Sequence, residues 1–185
     1  LVRFSSPADI KGTASLLIER TGADDDMWIY LPALGKVRRL SASNKKDAFV
    51  GTDFSYADVI GYKVDEWKHK LLREENVDGI AHYVIESLPE TAQITSQTGY
   101  SRRISWVRKD NFVASKGEAY DAGGQLLKKF VQSDIRAAGS NGKWQAMLSE
   151  AENVQTGHKT SIRLQEFKAD QNVAESLFSA RELEK

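Results

Sequence analysis

The residues able to do chemistry are sparse in this chain and poorly spaced for it. Histidines stand at positions 69, 82 and 158, with no HExxH or other metal-ligand spacing among them. His69 and His82 are expected to face each other across a hairpin, yet a pair lacks the third protein ligand of a catalytic zinc site. All three histidines read as surface or rim residues. The triplet Asp24-Asp25-Asp26 lacks the alternating ligands, bend glycine and distal glutamate of a calcium loop, and reads as a solvated turn. Gly22, Gly35, Gly79, Gly99, Gly123-Gly124, Gly139 and Gly142 fall at expected turns, the sequence holds neither a GxGxxG nor a Walker loop, and no GxSxG elbow is present. The sequence holds no cysteine, which excludes thiolate zinc sites, a cysteine nucleophile and disulfides. Carboxylates are plentiful, but none is singled out as a catalytic pair. The expectation is no catalytic residue, no metal and no cofactor: not an enzyme.

Charge narrows the partners further. Lys plus Arg equals Asp plus Glu at 26 each among 185 residues, which removes the usual electrostatic argument for a nucleic-acid partner. No apolar run approaches the roughly 20 residues needed to span a bilayer as a helix. The length suits one domain over residues 1–185 with a sizeable core. Because Leu1-Val2-Arg3-Phe4 already reads as a strand and residue 1 is not Met, an amino-terminal part is expected to be missing, together with any signal peptide.

The elements that must position any site are mostly strands. Short runs with period-two alternation recur between turn residues: Leu1 to Ser5, Thr13 to Glu19, Met27 to Leu31 and Val37 to Leu40, then Trp67 to Glu74 and Ile80 to Glu86 about an Asp78-Gly79 hairpin turn. Ser101 to Lys109, Phe112 to Asp121, Leu126 to Arg136, Trp144 to Glu150 and Thr160 to Phe167 follow. Turns are expected at Thr21-Gly22 and Ser140-Asn141-Gly142. Between Ser41 and Gly61 the pattern is irregular, with Ser55 as an N-cap and Gly61 as a terminator of one or two helical turns. Leu88 to Gly99 is ambiguous, and Val173 to Leu183 reads as a short terminal helix capped by Asn172. About ten strands at this spacing predict a meandering sheet or barrel. Helices this few cannot cover both faces, so the sheet must curl, be covered by missing residues, or keep an apolar face for a ligand.

Apolar patterning suggests where. Trp28 with Tyr30, Ile104 with Trp106, and Tyr83 with Ile85 each share one face of a strand. Met27, Ile29 and Leu31 fill the other face of the Trp28 strand, which should therefore be central and covered on both sides. In Phe112 to Asp121 one face carries Val113, Ser115, Gly117 and Ala119, small residues that leave room above the sheet. An ordinary filled core and a cavity both fit this pattern.

Two blocks resemble a known family. They are Met27-Trp28-Ile29-Tyr30-Leu31-Pro32-Ala33-Leu34-Gly35-Lys36-Val37-Arg38-Arg39-Leu40 and Asp47 through Val59, which contains Val50-Gly51-Thr52-Asp53-Phe54-Ser55-Tyr56. Both are similar to the LolA-like outer membrane lipoprotein-sorting proteins of Gram-negative bacteria. Gly157-His158-Lys159-Thr160 and the Ser176-Leu177-Phe178 ending resemble later blocks of that family. Position 50 is Val where the family pattern carries Met. The resemblance implies a mainly β fold, a curved antiparallel sheet forming an incomplete β-barrel, with short helices covering one side. It implies a periplasmic carrier that binds lipid or the acyl chains of lipoproteins in a hydrophobic cavity, working beside an inner-membrane RND-type transporter.

On that reading the expected ligand-binding residues are Trp28, Tyr30, Tyr83, Ile85, Ile104 and Trp106, with Arg38 and Arg39 meeting headgroups or an acidic partner. Asp53, Phe54 and Tyr56 are expected to shape the irregular segment. The rival reading is a non-catalytic envelope scaffold, or transporter accessory protein, with a filled core. A lipid-acting enzyme would need a polar dyad inside the cavity, which nothing in the sequence advertises.

Overall fold

Alternating side chains and turn residues become eleven strands in the computed structural model, which describes residues 1–21, 23–140 and 142–185. The expected turn residues Gly22 and Asn141 lie outside the described residues. Strands β1 (Val2–Arg3), β2 (Ala14–Ile18), β3 (Asp26–Leu31) and β4 (Lys36–Leu40) form one antiparallel sheet in chain order. A second sheet runs, also in chain order, through β5 (Trp67–Val77), β6 (Ile80–Pro89), β7 (Arg102–Arg108), β8 (Ala114–Tyr120), β9 (Leu126–Ala138), β10 (Lys143–Asn153) and β11 (His158–Arg163). Each strand pairs antiparallel with the next, and β5 does not pair with β11, so the larger sheet is open. The fold is mainly β, two antiparallel sheets with few helices, as an incomplete barrel requires.

Turn chemistry sets the hairpins. Asp78 and Gly79 both take positive φ, 52° and 82°, the left-handed pair that a tight two-residue hairpin needs. Helix α1 (Tyr56–Ile60) starts at Ser55, whose hydroxyl accepts from the Asp58 amide while the Asp58 carboxylate accepts from the Ser55 amide. This reciprocal cap satisfies two otherwise orphan donors of the first turn. The ambiguous stretch resolves into the end of β6 and helix α2 (Ala92–Thr98).

The terminal segment departs from expectation. Val173 to Leu183 is not one helix; it holds two 3₁₀ turns, Glu175–Leu177 and Ala180–Glu184, with Ser179 extended between them. The break delivers Leu183, 1% exposed, onto Ala14 and Leu16, where Trp28, Tyr30 and Val37 pack around it. Burying one leucine outweighs the weak helical preference of a short segment. On the other face of β3, Met27 packs with Phe49 and Tyr56. That strand is thus internal to its sheet and packed on both faces, as its double apolar pattern predicts.

His69 and His158 are exposed as expected, but His82 is not, and the expected facing of His69 and His82 does not occur. Register pairs His69 with Ser87 and His82 with Glu75, so the two do not face each other. His82 is buried at 2% exposure. Its ring nitrogens meet the Ile80 carbonyl at 2.7 Å and the Ser115 hydroxyl at 2.8 Å. A local register shift between Trp106 and Val107 interrupts the alternation of β8 near Ser115, which carries that hydroxyl to the histidine.

Buried charge ties the small sheet to the irregular segment. Asp25, expected in a solvated turn, has a side chain only 2% exposed and meets Lys45 at 2.7 Å and Lys63 at 3.0 Å. Burial pushes its carboxyl up, but hydrogen bonds from Lys45, the Arg20 amide and Lys63 outweigh that and hold it below its ordinary value. A carboxylate depressed in the folded state contributes stability that is present above its unfolded pKa of about 3.9 and lost as pH falls through the folded value. Asp25→Asn leaves buried Lys45 without its charge partner and is expected to cost about 3 kcal/mol or more at pH 7. Urea titration at pH 7 and below pH 4 checks this, with the gap between wild type and variant narrowing at the acid end.

Candidate functional site

One row of side chains crosses the whole large sheet on a single face. Register links Leu71 to Ile85, Ile85 to Ser105, Ser105 to Gly117, Gly117 to Phe130, Phe130 to Ala151 and Ala151 to Thr160. Directly opposed residues of an antiparallel sheet point the same way. The middle of the row, Ser105 and Gly117, has almost no side chain, while Ile85 and Phe130 flank it. The result is a trough in the sheet. This realises the expected small-residue face of β8 at Gly117 and Ala119, although Ser115 is diverted to His82.

The irregular segment roofs the trough. Asp53 anchors it to β11: its amide donates to the Thr160 hydroxyl at 3.0 Å, and its carboxylate meets that hydroxyl at 2.7 Å and the His158 ring at 2.6 Å. Phe54 then lies 6.2 Å from the Phe130 ring. Tyr56, with its ring edge on Phe49 at 5.3 Å, fixes the start of α1. Between roof and trough is a cavity of about 310 Å³, lined chiefly by Phe54, Tyr62, Arg103, Ser105, Gly117 and Phe130. A more open groove of about 450 Å³ beside Trp106 is lined by charged groups, Glu75, Asp78, Lys116, Glu118 and Lys129 among them. The cavity beneath α1, the less open of the two, is the better apolar site, although Asp58, Arg103 and Lys116 border it.

At the wall of the cavity beneath α1 sits a buried polar cluster centred on Asp58, whose side chain is 4% exposed. Its carboxylate accepts from the Ser55 amide at 2.9 Å, Tyr62 hydroxyl at 2.8 Å, Tyr100 hydroxyl at 2.9 Å and Lys128 ammonium at 3.1 Å. Burial and the neighbouring Asp58 carboxylate push the Tyr100 phenol far above its ordinary value, so it stays a donor. Arg103 lies with its guanidinium carbon 3.4 Å from the Tyr62 ring centre. Burial lowers its guanidinium to about 10, with Asp58 opposing, and it remains charged at neutral pH. Among the described residues, no group of three or more His, Asp or Glu is placed to hold a metal ion.

The residues expected to bind ligand are not gathered in one place. Tyr83 and Ile85 lie on the cavity face, since Ile85 opposes Ser105 and Tyr83 opposes Val107. Ile104 and Trp106 occupy the opposite face of β7; Ile104 is buried and Trp106 lines the open groove. Trp28 and Tyr30 belong to the other sheet and pack under Leu183. Arg38 and Arg39 sit on the edge strand β4 and point to opposite faces, opposing Ile29 and Trp28. Arg39 bonds Asp26 at 2.6 Å and lies over Trp28. Arg103, Lys128 and Asp58 went unnoticed as a group, because they lie on three elements up to 70 residues apart. The local signal was Ser55 capping toward Asp58.

The cluster makes a stability prediction. Asp58→Ala strands buried Lys128 and is expected to cost about 3–5 kcal/mol. Tyr100→Phe removes one hydrogen bond to a charged group and should cost roughly 1.5–3 kcal/mol. Chemical denaturation measures both, and a milder loss for Asp58→Ala than for Tyr100→Phe would refute the hub.

Comparison with known proteins places the chain. A family profile described as "Uncharacterized protein" matches residues 1–185. Among curated proteins, none matches the sequence. A crystal structure described as an outer membrane lipoprotein-sorting protein domain, from Vibrio parahaemolyticus, is similar at 30% identity and TM-score 0.91, covering 99% of this chain and 76% of that one. A DUF1329 family protein from Desulfovibrio piger is similar at 35% identity and TM-score 0.89, covering 98% and 75%. A LolA superfamily protein from Nitrosomonas europaea, at 22% identity and TM-score 0.70 over 96% and 74%, shares the fold. With the W-x-Y-L-P hairpin, the G-T-D-F-S-Y segment and the open sheet they predict all in place, the chain belongs to the LolA-like outer membrane lipoprotein-sorting protein family.

Proposed function

We propose that this protein is a non-enzymatic periplasmic carrier that holds an acyl chain, of a lipid or a lipoprotein, in the cavity beneath α1. The observation that carries the reading is the roofed trough itself. A row with Ser105 and Gly117 at its centre leaves space under the roof beside the Phe54–Phe130 ring pair. Kinship to a lipoprotein-sorting domain supports the cargo class. Ile85 and Tyr83 extend the same face toward β5, where Leu71 is 54% exposed, and so offer an apolar path to solvent.

The energetics suit a carrier. Each buried methylene contributes about 0.8 kcal/mol, so a chain of ten carbons gains roughly 8 kcal/mol before ordering costs. Such binding makes spontaneous release slow. Delivery therefore calls for a partner that competes for the chain or lifts the roof, and an RND-type transporter is the partner that the sequence resemblance implies. A filled-core scaffold fits less well, because a scaffold has no use for the space at Gly117.

Gently purified protein examined by native mass spectrometry should carry lipid, and should release a fluorescent fatty acid probe when unlabelled lipid is added. Gly117 has no positive φ, and a Cβ there would meet Phe130 at an ordinary 3.6 Å. Gly117→Leu should therefore fold and fill the trough, lowering probe affinity by tenfold or more. Unchanged affinity in a folded Gly117→Leu protein would remove the cavity from the carrier reading.

A further inference from the structure

The cavity wall holds a guanidinium nitrogen without a hydrogen-bond acceptor. Arg103 Nη1 is buried and makes no hydrogen bond among the described residues. It lies 3.9 Å from Asp58 Oδ1, an ion pair but too long for a hydrogen bond. The reason is saturation. A carboxylate offers about four lone-pair sites, and those of Asp58 already receive Ser55, Tyr62, Tyr100 and Lys128. Two cations, Arg103 and Lys128, share the Asp58 carboxylate, a formal excess of one positive charge in that cluster, and Lys116 also lines the cavity. A buried donor left unpaired is destabilising, and more so when charged, so this arrangement calls for a further acceptor.

We propose that Arg103 receives the anionic head, carboxylate or phosphate, of a single-chain amphiphile whose tail lies along the Ser105–Gly117 trough beside the Phe54–Phe130 ring pair. The proposal rests on the carrier reading and adds the chemistry of the ligand's polar end. Tyr62 holds the guanidinium in place by stacking on it. The Ser105 hydroxyl and Gln132 amide line the same cavity and are the further donors for the head. A charge-assisted hydrogen bond is about twice as strong as a neutral one. At about 310 Å³ the cavity sits at the lower end of the range for ligand sites, which suits one chain better than two.

The test compares ligands that differ only in the head, by fluorescent-probe displacement at pH 7.5. Dodecanoate or dodecyl phosphate should bind the wild type at least tenfold more tightly than dodecanol. Whichever of the two anions binds more tightly identifies the head. Arg103→Met should erase that preference while keeping dodecanol affinity, and Arg103→Lys should restore part of it. If Arg103→Met fails to fold, the wild-type comparison of acid with alcohol decides alone. Equal affinity for acid and alcohol overturns the role of Arg103 and leaves the carrier standing. Binding of none of the three overturns both. Displacement of dodecanoate by millimolar inorganic phosphate would overturn the amphiphile, since it marks a site for the free anion.

Discussion

The Asp58 carboxylate is the constraint on which the rest of the structure turns. It belongs to a helix of five residues, too short to hold its place by its own hydrogen bonds. What fixes α1 over the large sheet is a set of contacts to Tyr100, Lys128 and Arg103, all from the sheet or its connections. A charge this buried is tolerable only with partners on every side. The same contacts therefore set the height of the roof above Ser105 and Gly117. Asp53 and Thr160 pin the other end of the segment. Asp25 with Lys45 and Lys63 joins that segment to the small sheet. The irregular stretch between β4 and β5 is thus the junction of the molecule, clamped by three carboxylates that each find cations or hydroxyls elsewhere in the chain.

Much of the fold was legible because strand signals are local. Alternation, an Asp-Gly turn and a serine cap each depend on a few neighbouring residues, and each reappears at or near its expected place. The terminal helix failed for a non-local reason: Leu183 is pulled onto Ala14 and Leu16 from the far end of the chain. The site was less legible still. Which strand faces share a cavity depends on register, and register is a property of pairs. Ile104 and Trp106 look like lining residues in isolation, yet pairing with Val84 and Glu86 sends them to the face away from the roof. Asp25 looks like solvated turn chemistry until Lys45 arrives from another element.

Val50 takes φ 48° and ψ 44° and is followed by Gly51 at φ 77°. A β-branched side chain in the left-handed region is strained. It is held there by packing with Phe49 and Tyr56 against Met27. The bend it makes turns the chain back so that Phe54 can reach Phe130.

The trough shows what the sequence has left undone. Gly117 sits mid-strand with ordinary backbone angles, where a larger residue would favour both the strand and the packing. Space for a Cβ exists against Phe130, and Arg103 beside it has a buried nitrogen with nothing to donate to. Either feature alone is a small local fault. Together, under one roof, an unfilled, largely apolar volume and a guanidinium nitrogen without an acceptor are what favour the proposed ligand, greasy along its length and negative at one end. Places where a sequence gives up stability against its own local rules are where function is expected. Here both concessions fall within the one cavity that Asp58 holds open.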